Sequence, residues 1–156
     1  VLALSLGASA LAANENAPVI ALGEFTFLDT SGEPQDQNPQ HKARLASFNS
    51  TLRSDIAGGN KYRIIALQCD GNSCSSEQDA STLASKARST GARYLLLGGI
   101  HKMSTLVGWA KAQIIDLRND KVVFDKLLSF RGDTDEAWHR AEEFLARDIG
   151  AADLVK

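Results

Sequence analysis

A chain of 156 residues with 44% hydrophobic and 23% charged residues has the make-up of a globular protein able to bury one core. A net charge of −2 and a pI near 5.9 exclude the basic field that nucleic acid or an anionic membrane surface would require. Aromatic residues, at 6%, offer few platforms for stacking bases.

Residues 1–12 (VLALSLGASALA) are apolar or small and carry no charge. They resemble the apolar part of a secretory signal peptide, with small-residue cleavage patterns at Ala8-Ser9-Ala10 and Ala10-Leu11-Ala12. The run is too short to span a bilayer, and no cysteine near it offers a lipid anchor. The expectation is a remnant leader at 1–12, a lead-in at 13–18 and a single globular domain over 19–156, exported to the periplasm.

Residues 19–28 (VIALGEFTFL) read as a first strand, ended by the turn-forming Asp29-Thr30-Ser31-Gly32. Asn38 then predicts a helix cap with Pro39 at the first helical position. Leu45, Phe48, Leu52 and Ile56 fall on one face, and Gly58-Gly59 stops the helix. Residues 62–67 predict a second, buried strand.

Cys69 and Cys74, the only cysteines, share one short loop. Outside the cytoplasm a disulfide is the favoured state; the rivals are a redox pair or half a metal site. Four residues separate the two, rather than the two of a thioredoxin-type motif, and no second Cys/His pair would complete a metal site. No metal or cofactor is implied.

Ser75 and Gln78 predict a capping box for a second helix, with Ala80, Leu83, Ala84 and Ala87 on its apolar face and Gly91 just past its end. Residues 93–102, 107–117 and 122–130 are three apolar-rich runs in a meander, with Asn119-Asp120 as a two-residue hairpin turn. A last helix is capped by Asp133 with Glu136 at its third position, and buries Trp138, Ala141, Leu145 and Ile149. The order β-α-β-α-β-β-β-α predicts an α/β fold of α+β character. It has two layers, a mixed five-stranded sheet and helices mainly on one face.

Familiar catalytic signatures are missing: the sequence holds no P-loop, G-x-S-x-G, H-E-x-x-H or G-x-G-x-x-G. His41, His101 and His139 are scattered. Residues 133–136 (DTDE) lack the ligand and glycine that an EF-type calcium loop places next. Acids there suit a helix N-terminus, and Arg131-Gly132-Asp133 is too short a motif to carry an adhesion role.

The stretches GARYLLLGGIHKMSTL and SFRGDTDEAW carry a resemblance to a bacterial family of secreted proteins of unknown function, DUF2380 or DUF3280. The family pattern has a cysteine pair before the second helix, then K-V-S-N-L-I-L and R-G-N-T-D-E-S-W segments. Lys102, Ser104 and Leu106 match the first segment; Arg131, Gly132, Thr134, Asp135, Glu136 and Trp138 match the second. Thr105, Asp133 and Ala137 depart from it, as does the wider cysteine spacing. The element order is also similar to the N-terminal domain of TolB and to CsgG-like periplasmic domains, which implies binding or assembly in the envelope rather than catalysis.

Parallel strands one, two, three and five would point their carboxyl ends to one edge of the sheet. That edge would gather Asp29, Lys102, Ser104, Arg131, Asp133, Thr134 and Asp135 into a crevice facing an anion. The function expected is a non-catalytic binding or accessory protein acting on an unidentified envelope protein or a small anionic ligand, with no nucleic acid. The alternatives are a redox or enzymatic factor using Cys69/Cys74 or segment 131–135, or motifs that are purely structural.

Overall fold

The computed structural model describes residues 14–155; the expected leader at 1–12 lies outside the described residues. In chain order the elements are β1 (Val19–Leu22), β2 (Thr26–Asp29), α1 (Asn38–Gly58), β3 (Arg63–Ala66), β4 (Gln68–Cys69) and β5 (Asn72–Ser73). There follow α2 (Ala80–Ser89), β6 (Tyr94–Lys102), β7 (Val107–Asp116), β8 (Lys121–Arg131) and α3 (Asp135–Ala151). The sheet order is β3-β1-β6-β7-β8, with β2 continuing the place of β1 beside β6. β1, β2, β3 and β6 are parallel, while β7 runs against both β6 and β8. The four parallel directions expected from sequence are therefore present, and α1 and α3 pack on one face.

The expected first strand is two pieces, for a reason written in its apolar spacing. Ile20 and Leu22 alternate, and so do Phe25 and Phe27, but three positions separate Leu22 from Phe25. A bulge at 23–25 absorbs the slip, so that all four residues meet the same helices. The backbone freed there is satisfied partly by the backbone of Cys74 and Ser76 and partly by side chains. Phe25 N–H donates to Asn49 Oδ1 (2.8 Å) and Gly98 N–H donates to Ser76 Oγ (3.1 Å). Gly98 is required at its position, because a Cβ there would lie 2.3 Å from the Phe25 ring.

Between the sheet and the α1/α3 pair lies the larger core, built from Ile20, Phe25, Phe48, Leu52, Leu96, Trp138, Leu145 and Ile149. A smaller one under α2 joins Ala21, Leu83, Ala87, Leu95 and the cysteine pair on the opposite face. Cys69 and Cys74 are bonded, with Cα atoms 5.0 Å apart. Their loop is a tiny hairpin of β4 and β5, turned by Asp70 and Gly71 at φ 48° and 86°.

Three caps and one turn differ from expectation. Asn38 lies inside α1, its N–H taken by Asp36 Oδ1 at 3.0 Å, and Gln37 at the cap makes no capping bond. α2 is capped by Asp79, which accepts from Thr82 N–H at 2.9 Å; Ser75 and Gln78 form only a backbone turn. The cap of α3 is Thr134, accepting from Ala137 N–H at 3.1 Å, because the Asp133 carboxylate has stronger partners elsewhere. The β7–β8 connection is a four-residue turn closed by the Asp116–Lys121 pair, with only Asp120 at positive φ.

Candidate functional site

At the carboxyl edge of the sheet the chain gathers a cluster of charges. β6 delivers Lys102, the end of β2 delivers Asp29, and Gly132 (φ 93°) turns β8 into α3 so that Asp133 points back over the sheet. Asp133 is the hub. Its carboxylate lies 2.7 Å from His41 Nε2 and 2.9 Å from both Arg44 Nη1 and Lys102 Nζ, and it accepts from the Trp138 indole at 3.1 Å. Burial opposes its charge, but the bonds from His41, Lys102 and Trp138 prevail and hold its pKa at about 2.

Lys102 is 3% exposed, and its ammonium also binds Glu33, Gln37 Oε1 (2.9 Å) and, more loosely, Asp29 (3.9 Å). Burial disfavours the ammonium, yet the hydrogen bonds it donates to Glu33 and Asp133 leave its pKa above the ordinary lysine value. Asp29 is pushed up by burial, but the Ser31 hydroxyl and N–H hold it below the usual carboxylate range.

Of the residues expected to line an anion crevice, Asp29, Lys102, Asp133 and Asp135 do come together, Asp135 through Arg44 Nε at 2.7 Å. The others do not. Arg131 is exposed and makes no ion pair among the described residues. The Ser104 hydroxyl accepts from Leu106 and Val107 N–H and shapes the β6–β7 turn, while Thr134 caps α3. Four carboxylates (Asp29, Glu33, Asp133, Asp135) surround Lys102, Arg44 and His41, so none of these three cations is left unpaired. The cavity lined by Lys102, Ser104, Asp133 and Trp138 encloses about 10 Å³, room for one water at most.

Sequence reasoning missed His41, Arg44, Glu33 and Gln37. His41 was visible as the residue four before Leu45 and seven before Phe48, on the apolar stripe of α1, where a polar side chain needs a partner.

The opposite face of the sheet carries the other candidate surface. α2 covers it only toward the β1 end. Beyond that end, alternation along β2, β6, β7 and β8 places Leu28, His101, Trp109, Lys111 and Leu127 outward, with no helix of the described residues over them. Leu28 is 56% exposed, Trp109 39% and Leu127 56%. Met103 and Leu106, both exposed, lie at the same end in the β6–β7 connection. The imidazole of His101 bonds Thr30 Oγ1 at 2.7 Å and meets the Trp109 ring edge-on, which holds the indole in place.

The family model for DUF3280, described as a protein of unknown function (DUF2380), matches residues 18–149. The chain belongs to the DUF3280 family. No curated protein matches its sequence. Among solved structures, this DUF3280 chain is similar to TolB from Acinetobacter baumannii (TM-score 0.56, 16% identity, 88% of this chain). It spans only 28% of that TolB chain. It is also similar to the LpoB C-terminal domain from Salmonella enterica (TM-score 0.52, 14% identity, covering 75% of this chain and 86% of that one). A PelC dodecamer from Paraburkholderia phytofirmans gives TM-score 0.53 at 15% identity, over 83% and 86% of the two chains. At these identities the likeness establishes a TolB-like fold and nothing finer. Among the described residues no helix is long and apolar enough to cross a membrane, and no group of His, Cys, Asp or Glu is arranged to hold a metal.

Proposed function

We propose that this chain is a non-catalytic accessory protein of the bacterial periplasm that docks another envelope protein on the uncovered half of its sheet. The observation that carries the reading is that Leu28, Trp109 and Leu127 stand exposed on one face of the sheet with no helix of the described residues above them. An exposed apolar surface of this kind, with an indole beside the paired charges of Lys111 and Asp125, has the make-up of a protein-binding surface. The bonded Cys69–Cys74 pair suits an oxidising compartment. The TolB-like fold is one that PelC assembles into a dodecamer, so the architecture supports protein–protein contacts elsewhere.

On this reading the Lys102–Asp133 cluster is a latch rather than a ligand site. It ties β2, α1, β6 and the start of α3 together and fixes the edge beside the docking face.

A photo-crosslinking residue placed at Leu127 and, separately, at exposed Arg53 on α1 tests the proposal in cells. The expected result is a discrete adduct with one envelope protein from position 127, lost on adding Trp109→Asp, and none from position 53. Adducts from position 53 alone would place the partner on the helical side and end the reading.

A further inference from the structure

Where α1 and α3 lie side by side, a cavity of about 160 Å³ is lined by Arg44, Ser47, Phe48, Thr51, Trp138 and Glu142. Glu142 is fully buried, and neither of its carboxyl oxygens has a hydrogen-bond partner. A buried acid that gains nothing from its surroundings costs stability, so its presence needs an explanation. The Asp55 carboxylate from α1 comes within hydrogen-bonding reach only of a protonated Glu142, Glu143 from α3 adds a second like charge, and His139 stands 3.6 Å away, short of a hydrogen bond. Arg44 does not serve as its counter-ion, being bound to Asp133 and Asp135.

We propose that this pocket binds the ammonium head of a small cation, with Glu142 as its acceptor. An ammonium group is donor-only and so complements two empty carboxyl oxygens. The Phe48 and Trp138 rings in the wall supply faces that attract a cation, and the Ser47 and Thr51 hydroxyls supply further oxygens. A metal ion fits less well, because among the described residues no three His, Cys, Asp or Glu side chains are arranged to hold one. In the free protein a proton does the same work. Burial first, then the charges of Asp55 and Glu143, push the Glu142 pKa up to about 8. Cation and proton therefore compete for the same oxygens, and affinity rises with pH by up to about tenfold per unit below that value.

The test is titration of Trp138 fluorescence in a Trp109→Phe background with n-butylammonium, and with n-butanol as the uncharged control. The expected result is saturable binding of the amine, tighter at pH 9 than at pH 6, and weakened about tenfold or more by Glu142→Gln, with no response to butanol. In the unsubstituted protein, the Glu142 carboxyl signal followed by carbon NMR should titrate at lower pH when the amine is present. N-acetyl-lysine methylamide serves as a second ligand: binding tighter than that of butylammonium assigns the head to a lysine side chain, and equal or weaker binding to a free amine. An equal response to butanol, or affinity indifferent to both pH and Glu142→Gln, would overturn the proposal. So would a Glu142 titration unmoved by saturating amine.

Discussion

Asp133→Ala removes the hub of the charge cluster, and its cost follows from the partners left behind. Lys102, almost wholly buried, keeps Glu33 and Gln37 but loses its 2.9 Å ion pair, while the Trp138 indole N–H loses its acceptor. Breaking a buried pair by removing one partner costs about 3–5 kcal/mol, and an orphaned buried donor about 1–3. Since Glu33 still compensates Lys102, the lower end applies, about 3 kcal/mol at pH 7. The pH dependence gives a second reading of the same site. The folded-state pKa of Asp133 is depressed to about 2 from 3.8. Its contribution is fully present above pH 4 and is lost as pH falls through about 2; it amounts to roughly 2 kcal/mol. Urea unfolding followed by far-ultraviolet circular dichroism, at pH 7 and stepwise down to pH 2, measures both effects. The gap between wild type and Asp133→Asn should shrink by about 2 kcal/mol across that window. A loss at pH 7 within about 0.5 kcal/mol, with parallel pH profiles, would refute the latch.

Trp138→Ala should cost about 3–5 kcal/mol in the same unfolding assay, since the ring is buried among Phe27, His41, Phe48 and Phe130; a loss under about 0.5 kcal/mol would contradict that packing. Glu142 behaves in the opposite sense to Asp133. Its raised pKa means that the folded chain keeps a proton the unfolded chain has lost, so stability falls as pH rises from about 4.5 to about 8. Glu142→Gln should flatten that decline, and a variant with an unchanged profile counts against a buried, unpartnered acid. Alkylation without reduction, followed by mass spectrometry, should label neither Cys69 nor Cys74; two labelled thiols would contradict the bond.

Regular periods carried most of the fold. The meander of β6, β7 and β8 and the Trp138–Ile149 stripe were legible because each repeats its pattern over nine or more residues. The bulge in the first strand was also written in the sequence, as the three-residue step from Leu22 to Phe25, and so was the hairpin at Asp70-Gly71. The caps were less legible. Asp133 and Thr134 are both good caps on local chemistry, and only the distant His41 and Lys102 decide which of them is free to act. For the same reason the charged edge was found but misjudged. Lys102 is a strand-end cation in sequence, whereas Glu33 and Asp133, which neutralise it, come from 69 positions before it and from the start of α3. The exposed half of the sheet, by contrast, depends on where α2 stops short, which local pattern does not show.

The docking claim is tested most directly by measuring the affinity of the protein captured from position 127 for two variants under conditions where both stay folded. Trp109→Ala with Leu127→Ala strips the exposed sheet face, and Asp133→Asn loosens only the latch. The account predicts at least a tenfold weaker complex for the first, as expected for an aromatic anchor at an interface centre, and wild-type affinity for the second. Undiminished binding by the stripped face, or loss confined to Asp133→Asn, would contradict it.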